Sequence, residues 1–284
     1  MARVAVVTDS ASDIPAETAA AAGITVVPLI VTFGDRSYRT GTEISADEFY
    51  AQLTGPGSPF PTTAAASPGE FEAVFAQALA AGADEVICIC VGGRLSGTLK
   101  SAQIAAGMIG GGKVRTVDSQ TASMSQGLLV LLAAELASQG APADEIARAV
   151  ERRVADSRLY VVLETLEYLK RGGRISGPRA ALGTMLAVKP IITIEDGIVE
   201  SVDKVRTRSK ARERLLELLT EKPVERAAVL HAQSPDIELF TDELAARAKL
   251  DRSRISINLI GPSVAPHVGP GAYGAVILTV PSSD

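Results

Sequence analysis

Apolar positions recur along this chain in two rhythms. Short continuous runs at Val4–Val7, Thr25–Phe33, Glu85–Val91 and Lys113–Val117 are bounded by Gly, Asp or Pro and read as buried strands. Between them the spacing switches to the helical period, predicting helices from about Pro15 to Gly23, then Pro68–Ala81, Gly97–Met108, Met124–Gln139 and Pro142–Asp156. Strand and helix in alternation predict a mostly parallel sheet, because a parallel pair needs a crossover long enough to be a helix.

From Leu159 the texture changes. Leu159–Leu163 reads as a strand, and Ile191–Ile194 with Ile198–Val205 reads as a hairpin turning at Asp196-Gly197. Strands near Ala227–His231, Ile255–Ile260 and Ala275–Val280 alternate with helices at Arg208–Thr220 and Asp236–Lys249. The expected fold class is α/β, in two α/β domains. Residues 1–157 form a mostly parallel sheet with flanking helices, and residues 158–284 a mixed sheet with helices. No Pro/Ser-rich linker separates them, so a broad interface with a ligand cleft is expected.

Composition narrows the function. With 284 residues, 46% hydrophobic and 21% charged, the chain carries enough apolar material for two packed cores. A net charge of −5 argues against nucleic-acid or anionic-membrane surfaces, which need concentrated Lys and Arg. The run Met1 to Val7 meets Thr8-Asp9 too soon for a signal peptide. The most apolar helical stretch, Leu128 to Leu136, contains Glu135 and falls well short of the roughly 20 residues of a membrane span. Cys88 and Cys90, the two cysteines, share one face of a strand that cannot fold back to join them, which fits buried core thiols and a cytoplasmic, reducing setting.

Three motifs match catalytic patterns in letters only. Gly107 through Lys113 fits a phosphate-loop spacing, but Val114 stands where the magnesium-binding hydroxyl belongs, and the segment precedes a strand instead of opening a helix. Gly269 through Gly274 enters the last strand, so it is no dinucleotide fingerprint. Gly93-Arg94-Leu95-Ser96-Gly97 misses the hydrolase elbow by one position. With only His231 and His267 available, a Ser-His-Asp triad has few ways to form, and no cluster has metal-ligand spacing.

Ligands of parallel α/β sheets dock beyond the C-terminal strand ends, and here those loops are rich in hydroxyls. They are Thr8 to Asp13, Gly92 to Thr98, and Asp118 to Thr121. Ser96 reads either as a helix cap or as a hydroxyl that, with the amide of Gly97 and its neighbours, holds an anion. Thr62 and Thr63 carry the same two readings, satisfying local backbone or facing a ligand. Ser67-Pro68-Gly69-Glu70 is a capping box with Pro at the first helical position, and structural. His267 stands among rigid Pro and Gly turns, fixed either for packing or for a ligand. Arg174, in Lys170-Arg171-Gly172-Gly173-Arg174, and Arg206, in Lys204 to Arg208, mark basic spots that are either solvated ends or anion and partner sites.

Taken in order, these segments resemble the DegV family, bacterial fatty-acid-binding proteins that serve a fatty acid kinase. The resemblance rests on Thr8 to Asp13, Val26-Val27-Pro28-Leu29, Pro61-Thr62-Thr63, Ser67 to Phe71, Leu95-Ser96-Gly97-Thr98, and Asp118-Ser119 with Ser123-Met124 and Gln126-Gly127. In the second half it rests on Thr165 to Ile175, Lys189-Pro190-Ile191, Arg206-Thr207-Arg208 and His267 to Gly271. It implies a long-chain fatty acid between the two domains, its tail in the C-terminal one. Thr62 or Thr63 with Ser96 would be the carboxylate's hydroxyl partners, beside Gly97 and His267, while Arg174 and Arg206 would face the cleft mouth and the kinase. It further implies a carrier in phospholipid metabolism that is no enzyme by itself, without cofactor or metal. A small-molecule phosphotransferase and an acyl hydrolase are the alternatives on this fold. The chain departs from the family pattern at Ala64, Ala65 and Gly93, where hydroxyl or amide side chains are common.

Overall fold

The computed structural model describes residues 2–175 and 188–281. The first half runs β1 (Val4–Asp9), α1 (Ala16–Ala21), β2 (Ile24–Val27), β3 (Ile30–Phe33), β4 (Arg36–Arg39), α2 (Ala46–Leu53), β5 (Thr62–Ala64), α3 (Pro68–Ala80), β6 (Glu85–Cys90), α4 (Thr98–Ile109), β7 (Val114–Asp118), α5 (Met124–Ser138) and α6 (Ala143–Val154). The second half runs β8 (Ser157–Val162), α7 (Glu167–Arg171), β9 (Lys189–Glu195), β10 (Ile198–Val205), α8 (Arg208–Leu219), β11 (Val224–His231), α9 (Ile237–Ala248), β12 (Ser256–Leu259), α10 (Ala265–Val268) and β13 (Tyr273–Thr279).

β2-β1-β6-β7 form a four-stranded sheet that is parallel throughout, as the alternation of strand and helix requires. Its strands are buried on both faces. Val7, Cys88 and Cys90 pack with Phe71 and Phe75 of α3, whereas Val6, Ile87 and Ile89 pack with α5. The cysteines are buried free thiols. Ser67 and Glu70 cap α3 reciprocally, the Glu70 amide donating to Ser67 Oγ at 3.3 Å and the Ser67 amide to Glu70 Oε2 at 2.8 Å.

The single strand expected over Thr25–Phe33 is two strands in two sheets. Pro28 has no N–H to give a ladder, and the following Leu29 amide donates to Ser10 Oγ at 2.8 Å instead. The chain leaves the parallel sheet there, and β3 pairs antiparallel with β4 and β5. Residues 62–64, read from sequence as a loop, thereby become an edge strand.

The second half is a six-stranded mixed sheet, β10-β9-β8-β13-β11-β12, parallel only between β11 and β12. Asp196 and Gly197 turn the β9–β10 hairpin with φ of 50° and 73°, the two left-handed residues a tight hairpin favours. Alternation sorts this sheet's faces. Val162, Ile191, Val229 and Ile277 pack on Leu215 and Leu219 of α8 and on Phe240 and Leu244 of α9. Leu159, Val161, Ile192 and Leu230 point the other way, toward the parallel half. α5 lies between the sheets, burying Leu128, Leu129, Val130 and Ala133. A helix with most of its surface covered needs little polar stripe, and Leu128–Ala134 is apolar without a break before the exposed Glu135. Among the described residues no helix is long and apolar enough to cross a membrane.

Candidate functional site

α5 covers only part of the face that the six-stranded sheet turns toward the parallel half. The remainder borders a cavity with about 930 Å³ of empty space, open solvent at its mouth included. Its far wall is aliphatic: Leu159 and Val161 of β8, Ile192 and Ile194 of β9, Val199 of β10 and Leu230 of β11. Opposite stand the loops after β1, β6 and β7, contributing Ala11, Val91, Leu95 and Ala122. The cavity thus lies beyond the C-terminal ends of the parallel strands, where α/β sheets collect ligands.

The lining also carries polar groups, Ser123 and Ser263 among them. Thr63, Ser96, Gly97, Arg174 and His267 all line the cavity. Thr63 Oγ1 lies 3.0 Å from His267 Nε2, joining a strand of the first half to α10 of the second. Burial, reinforced by the nearby Arg174 charge, pushes the His267 pKa down to about 4, so the ring is neutral. Its Nδ1 is buried without a partner among the described residues. An unpaired lone pair costs less than an unpaired N–H, which assigns the proton to Nε2. His267 then donates to Thr63, and the Thr63 hydroxyl proton is free to point into the cavity. The ring's place depends on Gly172, where a Cβ would come within 2.3 Å of His267 Nδ1. Gly269, with φ of 76°, likewise leaves room for Tyr168.

Ser96 Oγ accepts from the Thr98 amide at 3.3 Å and lies 2.8 Å from Thr98 Oγ1. This is the local turn that the capping reading expects. When the Thr98 hydroxyl donates to Ser96, the Ser96 proton remains available, so cap and ligand contact are compatible roles. Arg174 crosses the mouth, donating through Nε to Leu95 O at 3.2 Å and through Nη1 to Gly172 O at 2.5 Å. Thr62 is placed elsewhere: strand alternation turns it to solvent while Thr63 faces in. Arg206 is also apart, exposed just before α8 at the opposite end of β10 from Val199. The six intervening residues span roughly 20 Å.

The loop Thr8 to Asp13 uses its polar side chains as fasteners, and only Ala11 lines the cavity. Asp9 is fully buried and accepts from the amides of Val91 at 2.8 Å and Ala11 at 2.9 Å and from Gln126 at 3.2 Å. Burial outweighs these bonds and raises its pKa to about 6. Asp13 accepts from Ser123 Oγ at 2.5 Å and from the Gly261 amide at 2.9 Å, and burial raises it to about 7. Tyr50 donates to Ile260 O at 2.8 Å, and Ser10, Thr40 and Ser263 share their hydroxyls within 2.7–3.0 Å. These contacts fix residues 260–263, the approach to α10 and His267, onto the first half. Sequence reading saw these hydroxyls but not their direction, because their partners lie up to 253 positions away. No group of three His, Cys, Asp or Glu among the described residues is placed to hold a metal ion.

Fold and cavity together define an α/β protein built around an aliphatic chamber with a polar mouth. The chain belongs to the DegV family: residues 3–280 match the family described as "Uncharacterised protein, DegV family". A DegV domain-containing protein of Streptomyces coelicolor is 38% identical over 279 residues, covering 96% of this chain and 98% of that protein. A Thermus thermophilus structure, described as fatty acid binding of a DegV family protein, superposes with a TM-score of 0.89 at 37% identity, covering 98% of this chain and 100% of that one. Bacillus subtilis DegV, described as a fatty acid binding protein, gives a TM-score of 0.86 at 32% identity, covering 99% and 100%.

Proposed function

We propose that this protein binds a long-chain fatty acid in the cytoplasm and presents its carboxylate to a separate fatty acid kinase for acyl-phosphate formation. One observation carries the reading: a single cavity has an aliphatic wall from four strands and, on the same lining, the hydroxyls of Thr63 and Ser96 and a neutral His267 that is bonded to Thr63. Burying an acyl tail contributes roughly 0.8 kcal/mol per methylene, so about 16 carbons supply on the order of 10 kcal/mol. That retains the lipid even where the head group is held only by neutral donors. Hydroxyls bind a carboxylate without neutralising it, leaving an oxygen nucleophilic enough for transfer. The descriptions of the Thermus and Bacillus relatives as fatty acid binders support the same ligand class.

In this reading residues 1–157 supply most of the head-group donors and residues 158–284 the acyl wall. Arg174 lies at the mouth, and Arg206, farther along the second half, faces the kinase. The chain contributes no catalytic group. The hydroxyl–imidazole pair Thr63–His267 is the observation that favours acyl hydrolysis instead. That reading needs a group to orient His267 Nδ1, and among the described residues Nδ1 has none. Solvent extraction and mass spectrometry of protein purified without added lipid tests the proposal: stoichiometric fatty acid is expected. Its absence, together with no rise in Tm on adding palmitate or oleate, refutes it. Turnover of a p-nitrophenyl acyl ester would favour the hydrolase.

A further inference from the structure

The Ser96 loop is anchored firmly at one end and lightly at the other. At its base, Gly92 donates to Thr121 O at 2.8 Å, and the amides of Leu95 and Ser96 both return to Gly92 O at 2.9 and 3.1 Å. A Cβ at Gly92 would lie 3.1 Å from the backbone of Gln120 and Thr121, so this end is packed against its neighbour strand's loop. Residues 93–97, beyond that base, border a wide groove over the cavity mouth, shared with Lys100, Arg174, Gly197 and Val199.

Two hydrogen bonds among the described residues tie this tip to the six-stranded half. Arg174 Nε reaches Leu95 O, and Arg94 Nη1 reaches Asp196 O at 3.2 Å across the β9–β10 turn. The Arg94 stem lies along Gly197, whose added Cβ would meet Arg94 Cβ, Cγ and Cδ at 3.3–3.5 Å. Ser96 and Val199, on either side of this crossing, both line the cavity. A ligand leaving between the loop and the hairpin must part them.

We propose that Arg94 is a positioning residue that holds the Ser96 loop against the β9–β10 turn and so sets the rate at which bound ligand leaves. It does not line the cavity and acts through the loop's position. Backbone carbonyls accept both arginine bonds, so the clasp depends on geometry and not on a partner's charge, and both arginines are reachable by solvent. Contacts of this strength open readily, which suits a gate better than a seal. The inference rests on the fatty-acid reading above.

The test is the stopped-flow release of cis-parinaric acid, a fluorescent fatty acid, from loaded protein into excess albumin. The expected result is a release rate raised roughly three- to tenfold in Arg94→Ala, the range that loss of one hydrogen bond allows. Arg94→Lys, which keeps a donor and an apolar stem, is expected to restore most of the wild-type rate. Lys100→Ala, which removes a neighbouring charge but no clasp, should release at the wild-type rate. A rate within twofold of wild type in Arg94→Ala overturns the clasp while the binding reading stands. Equal acceleration by Lys100→Ala overturns it in favour of mouth charge. If the wild type binds no parinaric acid at all, the fatty-acid reading fails and the clasp with it.

Discussion

The two sheets of this protein treat their faces differently. The parallel sheet is covered on both sides, by α3 and α4 on one and α5 and α6 on the other, and leaves only its strand ends to chemistry. The six-stranded sheet buries one face under α8 and α9 and the other only partly under α5, leaving a bare aliphatic strip. One half therefore contributes backbone ends and hydroxyls, and the other contributes greasy surface. Neither combines the two alone. His267 crosses the division, carried on the second half yet bonded to Thr63 of the first.

The sharpest way to break this comparison is to fill the bare strip. Val161→Phe places a ring in the cavity where the tail would lie. Excluding three or four methylenes removes about 3 kcal/mol, so affinity for palmitate should fall roughly a hundredfold, measured by calorimetry. Tm of the lipid-free protein should change little, because the ring enters empty space. Unchanged affinity would mean that the tail lies elsewhere.

The hydroxyl side is probed by Ser96→Ala. Losing one hydrogen bond to a charged group costs about 1.5–3 kcal/mol, or roughly ten- to a hundredfold in Kd. A variant that binds normally but melts earlier would leave Ser96 as a turn residue alone.

The fasteners between the halves have a pH signature. Asp9 and Asp13 have folded pKa values of about 6 and about 7, above the ordinary 3.8. From about pH 4 to about pH 7 the native state keeps protons that the unfolded chain releases, so these acids lower stability as pH rises. His267 has the opposite sign. Its folded value of about 4 lies below 6.5, so its cost grows as pH falls through that interval. Asp13→Asn removes one acid, and its Tm relative to wild type should climb between about pH 4 and about pH 7. A constant offset would show that Asp13 does not titrate there.

The smallest expected effect on binding comes from Arg206→Ala. Lying roughly 20 Å along β10 from the cavity wall, it should leave fatty acid affinity within about twofold of wild type. In an assay with a cognate kinase and ATP, phosphorylation of the bound acid should fall, since a planar guanidinium suits an acidic surface or an incoming phosphoryl group. Unchanged phosphorylation would leave Arg206 a solvated charge.

Periodicity made the parallel sheet and most of the mixed sheet legible, because burial imposes it residue by residue, but not the three-stranded sheet of β3, β4 and β5. The continuous runs of β1, β6 and β7, the Asp196-Gly197 turn and the Ser67–Glu70 box each state a local requirement that neighbours in sequence satisfy. Pro28 was visible too, yet its consequence was not, since what ends β2 is an absent N–H together with a hydroxyl from Ser10. α2 carried the same capping signal at Ser45 and Glu48 as α3 did, but its short amphipathic face gave the pattern little length to register.

The sequence by itself determined the alternation of β1, β6 and β7 with α3, α4, α5 and α6, the turn between β9 and β10, and that hydroxyls and one histidine crowd a few loops. Tertiary structure alone decided that Thr63 and not Thr62 faces the cavity, that Asp13 holds Gly261, and that Arg94 meets Asp196. Such pairings depend on register and on the packing of one sheet against another. They are properties of distance in space, which a chain's local preferences constrain only through the fold they jointly produce.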